Sequence, residues 1–167
     1  MNERIAICPG SFDPVTLGHL DIIRRASVLF DKVIVLVVVN PVKNTSFTPD
    51  ERVELIRKSV DGIPNVEVDL YTGLLVDYVR SKGAVAIVKG LRAMSDFEYE
   101  FQMALTNRKL YPEAETVFLT TAADNMYLSS SLVKQVAGLG GDISEFVPAC
   151  IVPDIMKKIG RDEENDR

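Results

Sequence analysis

The residues best placed to do chemistry lie near the start of the chain, in Cys8-Pro9-Gly10-Ser11-Phe12-Asp13-Pro14-Val15-Thr16-Leu17-Gly18-His19. A short apolar run at 5–7 precedes this stretch, and Leu20, Ile23, Ala26 and Phe30 follow it at the spacing of one helix face. The stretch therefore reads as a strand-to-helix turn broken by proline and glycine. Thr16 caps the helix in this reading, which puts Gly18 and His19 in its first turn. Unpaired backbone N–H groups and the positive end of the helix dipole meet there and favour a phosphate. Gly18 lets a ligand approach the backbone, and His19, the single histidine of the chain, projects beside it.

The elements that must hold this turn follow from the apolar pattern. Strand-like runs recur at 5–7, 33–39, 66–70, 85–88 and 116–119, with amphipathic helical segments between them. One helix opens at Thr48-Pro49-Asp50-Glu51, a capping box with proline in the first turn, and carries Val53, Ile56 and Val60 as its stripe. A third runs over about 74–81 with Leu75, Tyr78 and Val79 inward, ending near Gly83. A fourth opens at a second capping box, Ser95-Asp96-Phe97-Glu98, and passes through Phe101, Leu105 and Leu110. The last third is helical: 129–137, a break at Gly138 to Gly141, a turn capped by Asp142 to Glu145, and a final helix opened by Pro153.

Strands that are apolar throughout and alternate with helices belong in a parallel sheet covered on both faces. The fold class is α/β: one Rossmann-like, doubly wound domain over 1–160, with a five-stranded parallel sheet and a helical C-terminal third. Residues 161–167 are expected to be a disordered charged tail. In such sheets the ligand lies at the carboxyl ends of the strands, where strand order reverses.

Composition excludes other classes. The chain has 167 residues, 47% of them hydrophobic and 26% charged, with a net charge of −5. That balance suits one soluble domain and argues against a nucleic-acid binder, which needs a broad basic face. Two cysteines, Cys8 and Cys150, without metal-ligand spacing fit a reduced cytoplasmic setting. No secretory signal is expected, and the run at 33–39 is too short to span a bilayer.

The loops on the carboxyl edge each bring a polar group. After the second strand stands Lys43, which taken alone reads as a solvated lysine. After the fourth come Lys89, Gly90, Leu91 and Arg92, where a glycine between two cations lets backbone and side chains reach one anion. After the fifth, Asn125-Met126-Tyr127-Leu128 leads into Ser129, Ser130 and Ser131 at a helix start. One serine suffices for a cap, so three hydroxyls beside unpaired N–H groups make a phosphate cradle. Cations gathered at one edge of an acidic chain imply a small polyanion.

At these residues the chain resembles a known family. Pro9-Gly10-Ser11-Phe12-Asp13-Pro14 followed by Thr16-Leu17-Gly18-His19 is similar to the opening of the nucleotidylyltransferase superfamily, whose signature is Thr/His-x-Gly-His. Leu128-Ser129-Ser130-Ser131-Leu132-Val133-Lys134 resembles its second signature, with conservative changes at both ends. Within the superfamily the match is to the bacterial phosphopantetheine adenylyltransferases, from about Ile5 to Lys158. The resemblance implies transfer of the adenylyl group of ATP to 4′-phosphopantetheine. It implies ATP binding by Ser11, Phe12, His19, Gly90, Leu91, Arg92, Glu100, Asn125, Met126, Tyr127, Leu128, Ser129, Ser130 and Ser131. It assigns the acceptor to Ser11, Lys43, Leu75 and Lys89. Lys89 stands where the family most often has arginine, so the planar two-pronged grip on phosphate is lost while the charge is kept. Leu75 suits an uncharged pantetheine arm, and it reads nearly as well as plain helix core. Glu100 could likewise be a solvated helix residue.

The mechanism that follows uses His19, Lys43, Ser11 and Arg92 as the catalytic group, with no covalent intermediate. The attacking phosphate is already an anion, so positioning and fixed positive groups suffice. Mg²⁺ is expected to travel with ATP, and no protein metal ligands are assigned. A homohexamer is implied by the resemblance, and the apolar residues of the last third could serve an interface or the core. Three alternatives stay open: nucleotidyl transfer to another phosphorylated small molecule, a nucleotide-sensing module without catalysis, and, less favoured, a fragment of an aminoacyl-tRNA synthetase.

Overall fold

The computed structural model describes residues 3–160. The expected tail, 161–167, lies outside them. Five strands form one parallel sheet in the order β3-β2-β1-β4-β5: β1 (Ile5–Gly10), β2 (Lys32–Val38), β3 (Val66–Tyr71), β4 (Ala86–Leu91) and β5 (Glu115–Thr120). Six α-helices connect and follow them: α1 (Leu17–Leu29), α2 (Pro49–Val60), α3 (Leu75–Ser81), α4 (Met94–Leu110), α5 (Ser130–Gly138) and α6 (Val152–Ile159).

β2 shows why the sheet is parallel and central. Its Val33, Ile34, Val35, Leu36 and Val37 are all buried, because helices cover both faces. Val35 and Val37 pack with Leu20 and Ile23 of α1, Ile56 of α2, Val133 of α5 and Ile155 of α6. Ile34 and Leu36, pointing the other way, pack with Tyr78 and Val79 of α3. The apolar residues of the last third, Val133, Ala137, Ile143, Val147, Ile151 and Ile155, belong to this core. Burial of a side chain of that size stabilises by about 1.5–3 kcal/mol.

The expected local signals are realised at two helices. Thr48 caps α2, with Glu51 reaching back to the Thr48 N–H, and Val53, Ile56 and Val60 are buried. Thr16 caps α1. Several boundaries differ. β1 continues through Cys8, Pro9 and Gly10, which pair with Val35, Leu36 and Val37 of β2, so the turn itself begins at Ser11. β4 runs on to Leu91, so Lys89 and Gly90 are ladder residues opposite Phe118 and Leu119 rather than loop residues. Pairing with β5 outweighs the loop-like composition of Lys89 and Gly90. The helix start expected at Ser95 is displaced: α4 begins at Met94, and its cap residue Ala93 offers no side-chain acceptor. In α3 the buried residues are Val76, Tyr78 and Val79, and Leu75 is half-buried. Asp142 accepts from the Ser144 N–H and Oγ in a turn that does not become a helix.

One asymmetry of the sheet opens the site. β1 pairs with β2 over six positions but with β4 only at Ala6–Ala86 and Ile7–Ile87. Pro9 has no N–H to give to a ladder, and the pairing with β4 ends before it. Beyond Ile7 the two central strands part, leaving a crevice at their carboxyl ends where the strand order reverses.

Candidate active site

The two sequence signatures meet across this crevice. The Ser130 hydroxyl donates to the Pro14 carbonyl at 2.7 Å, and the Leu17 N–H donates to the Phe146 carbonyl at 2.9 Å. Gly18 lies against Asn125, where an added Cβ would stand 3.7 Å from the Asn125 Cβ. Arg92, just past β4, donates to the Leu128 carbonyl and pairs with Asp96 at 3.4 Å. His19, Gly18, Arg92, Asn125 and Ser130 are thus brought onto one side of the crevice.

His19 is fixed by its own helix start. It is the third residue of the capping box, so its Nδ1 accepts from the Thr16 N–H at 3.0 Å while its backbone N–H donates to Thr16 Oγ1 at 3.3 Å. A neutral imidazole that accepts at Nδ1 carries its proton on Nε2. No described residue takes the Nε2–H, so it remains as a donor for a ligand. Burial, with the charges of Arg92 and Lys89 nearby, pushes the ring down to about 4. At neutral pH His19 is therefore an uncharged hydrogen-bond donor. Phe12 supports it from below, with ring centroids 5.1 Å apart in an edge-on contact. Phe12 is itself buried and held at a φ of 49°, a left-handed backbone uncommon for a bulky residue.

The serines divide their work. Ser129 is the cap of α5 and accepts from the Leu132 N–H at 3.1 Å, Ser130 is tied to Pro14, and Ser131 is exposed. Two of the three hydroxyls are thus committed to structure, and the unpaired N–H groups of the first turn of α5 are what remains for a phosphate. Leu128 is buried and contributes its carbonyl to Arg92, whereas Met126 and Tyr127 are exposed beside it. Gly90 is where β4 passes closest to α1: a Cβ there would come 2.9 Å from Ile22 Cγ1. Packing against α1 is a reason for this glycine that its cationic neighbours did not indicate. Leu91 closes the ladder opposite Thr120.

Lys89 points to the other face of the sheet. It pairs with Glu100 of α4 at 3.3 Å, and both line a cavity of about 100 Å³ together with Leu75, Tyr99, Met103 and Asn107. The structure therefore groups Glu100 with the residues expected to hold the acceptor. The cationic edge is also less positive than its sequence suggests, because α4 supplies a carboxylate to Lys89 and another to Arg92. Lys43 stands exposed in the segment after β2, with its N–H donating to the Asn40 carbonyl at 3.1 Å. The Ser11 side chain is half-exposed at the mouth of the crevice.

Beneath the site lies a set of charges that the sequence reading did not single out. Asp13 is 5% exposed, and its carboxylate accepts from the Ser46 N–H at 3.0 Å, the Phe47 N–H at 2.9 Å and Lys134 Nζ at 2.8 Å. Desolvation pushes its carboxyl up, but the bonds from Lys134, Phe47 and Ser46 together hold it below its ordinary value. Arg52 of α2 is 2% exposed and donates to the Ser11 carbonyl at 2.8 Å, while its Nε has no partner among the described residues. Its position one turn before Leu55 and Ile56, on the buried side of α2, was the available signal. Cys8 is buried, its thiol pushed up to about 12 by that burial, and so is no nucleophile. Among the described residues no three His, Cys, Asp or Glu side chains converge as metal ligands.

Comparison with known proteins agrees with the geometry. Residues 7–136 match the family described as cytidylyltransferase-like. The phosphopantetheine adenylyltransferase of Alkaliphilus metalliredigens is 59% identical over 93% of this chain and 99% of its own. That of Heliobacterium modesticaldum is 56% identical over 93% of each chain, and that of Clostridium botulinum strain 657 is 56% identical over 96% of this chain and 98% of its own. Among solved structures, a putative nicotinate-nucleotide adenylyltransferase of Vibrio parahaemolyticus superposes with a TM-score of 0.69 at 17% identity, over 93% of this chain and 99% of that one. A bifunctional NMN adenylyltransferase/ADP ribose pyrophosphatase of Francisella tularensis gives 0.64 at 17% identity, over 87% of this chain and 44% of that one. At that identity the two structures speak for the fold alone. The chain belongs to the phosphopantetheine adenylyltransferase family, within the cytidylyltransferase-like group.

Proposed function

We propose that the protein transfers the adenylyl group of ATP to the phosphate of 4′-phosphopantetheine, forming dephospho-coenzyme A and pyrophosphate. The observation that carries this reading is the division of the β4 end. Gly90 faces α1 on the nucleotide side, while Lys89 faces a cavity walled by Leu75 and Met103 on the other. A cation beside an apolar wall suits a phosphate borne on an uncharged arm. The relatives named for this activity match nearly the whole chain.

The acceptor phosphate oxygen attacks the α-phosphorus of ATP, and the bond from that phosphorus to the bridging oxygen of the β-phosphate breaks in line. No base is needed, since the nucleophile is already an anion. The His19 Nε2–H donates to an α-phosphoryl oxygen as charge builds there, and being fixed beforehand it needs no reorganisation. Ser11 and Lys43 align nucleophile and α-phosphate. Arg92 and the first turn of α5, from Ser129 to Ser131, hold the leaving pyrophosphate, with Phe12, Gly90, Leu91, Asn125, Met126, Tyr127 and Leu128 shaping the nucleotide side. Glu100 restrains Lys89 until substrate arrives. The carboxylates nearest the crevice, Asp96 and Glu100, are each paired to a cation. A donor set of that kind suits Mg²⁺ arriving on the triphosphate, which it partly neutralises.

A cytoplasmic setting fits the two unpaired thiols, Cys8 and Cys150. Among the described residues no helix is long and apolar enough to cross a membrane. The implied homohexamer finds support in α4 rather than in the last third of the chain. Phe97, Phe101 and Leu105, four residues apart along α4, are exposed on one side of the helix, which leaves an apolar face to be covered by another copy.

Purified protein given ATP, Mg²⁺ and 4′-phosphopantetheine is expected to release pyrophosphate and form dephospho-coenzyme A. Nicotinamide mononucleotide as acceptor should give neither, and comparable turnover with it would reassign the substrate. His19→Ala should lower kcat at least a hundredfold, about 2.7 kcal/mol of transition-state stabilisation, with ATP affinity much less changed. A near-normal kcat would remove His19 from this role. Light scattering should report six chains per particle, and a monomer would contradict the assembly.

A further inference from the structure

Asp13 has no direct place in the reaction, yet it is the most heavily bonded side chain near the site. Its two carboxylate oxygens gather three donors from two separate parts of the chain. Two are consecutive backbone amides, Ser46 and Phe47, at the end of the segment that carries Lys43. The third is Lys134 of α5, the helix whose first turn is proposed above to hold the pyrophosphate. Phe47, beside those amides, is 3% exposed and anchored in the main core. Between Asn40 and Ser46 the segment is otherwise lightly held: Val42 and Lys43 bond back to Asn40, and the amides of Asn44 and Thr45 meet no acceptor among the described residues. Lys43 is therefore placed by two ends, one leaving β2 and the other fastened to Asp13.

We propose that Asp13 is a positioning residue, whose buried carboxylate sets the reach of Lys43 toward the crevice by clamping the far end of its segment. The inference rests on the role given above to Lys43. The clamp also explains why a charge is tolerated at this depth. A buried carboxylate is costly unless its oxygens are filled, and here Lys134 and two amides fill them. The same oxygens sit one residue from Pro14, whose carbonyl receives Ser130, and two residues from Ser11, whose carbonyl receives Arg52. The first loop thus carries, over four residues, the fastening points of α2, α5 and the Lys43 segment.

A double-mutant cycle tests the clamp. Asp13→Asn keeps the shape but loses the charge, and should lower kcat at least tenfold with the KM for ATP within threefold. In a Lys43→Ala background the same substitution should cost less than twofold, because the group it positions is already gone. An undiminished tenfold cost there, or no cost in the parent enzyme, would overturn the proposal. A kinetically silent Lys43→Ala would instead refute the role of Lys43 itself. Hydrogen exchange in the unaltered enzyme decides the tether even if Asp13→Asn fails to fold. The amides of Ser46 and Phe47 should exchange at least a hundredfold more slowly than those of Asn44 and Thr45, and equal rates would contradict the clamp.

Discussion

Much of the site depends on one reciprocal contact, the capping box between Thr16 and His19. It satisfies two of the backbone N–H groups that a helix start leaves open, and such a cap typically stabilises by about 1 kcal/mol. The usual partner at the third helical position is an acid, which would put negative charge at the place proposed for the phosphates. A histidine there closes the box with a lone pair instead. In doing so it spends Nδ1 on the backbone, fixes the ring, and leaves the proton on Nε2. Structure and chemistry are served by the same hydrogen bond, which is why the histidine is locked before any ligand arrives.

Around that ring the crevice between β1 and β4 is lined by two walls of different chemistry. The wall proposed for the nucleotide is built from α1, Arg92 and α5, and the wall proposed for the acceptor from Lys89, Leu75 and α4. Because side chains alternate along a strand, adjacent residues of β4 can face the two chambers: Gly90 toward α1 and Lys89 toward α4. The carboxylates of Asp96 and Glu100, one helical turn apart on α4, each pair with one of the two cations. Charge at the edge is thus arranged in pairs rather than as a bare positive ring.

The parts of this arrangement legible in the sequence were those with local causes. The β2 core follows from an unbroken apolar run, the α2 start from Thr48 and Glu51, and the α1 start from Thr16. Grouping of Lys89 with Leu75 was also within reach, through the family resemblance. Contacts between distant segments were not legible. Lys89 and Gly90 read as a loop because only β5, far along the chain, makes them strand. Asp13 and Lys134 are 121 residues apart, and nothing local marks either as half of a buried pair. Arg52 hid among surface charges although its position on α2 was a core position. The second helix start was misplaced because the chain enters α4 two residues early, with Ala93 rather than Ser95 at the cap.

The central claim is that His19 acts as a neutral donor held by its own helix cap. Since the chain has one histidine, ¹⁵N NMR of histidine-labelled protein reads its tautomer and titration without ambiguity. The ring is expected to be protonated on Nε2 across neutral pH, with an acid transition near 4 and well below the ordinary 6.5. A proton on Nδ1, or a transition at or above 6.5, would contradict it.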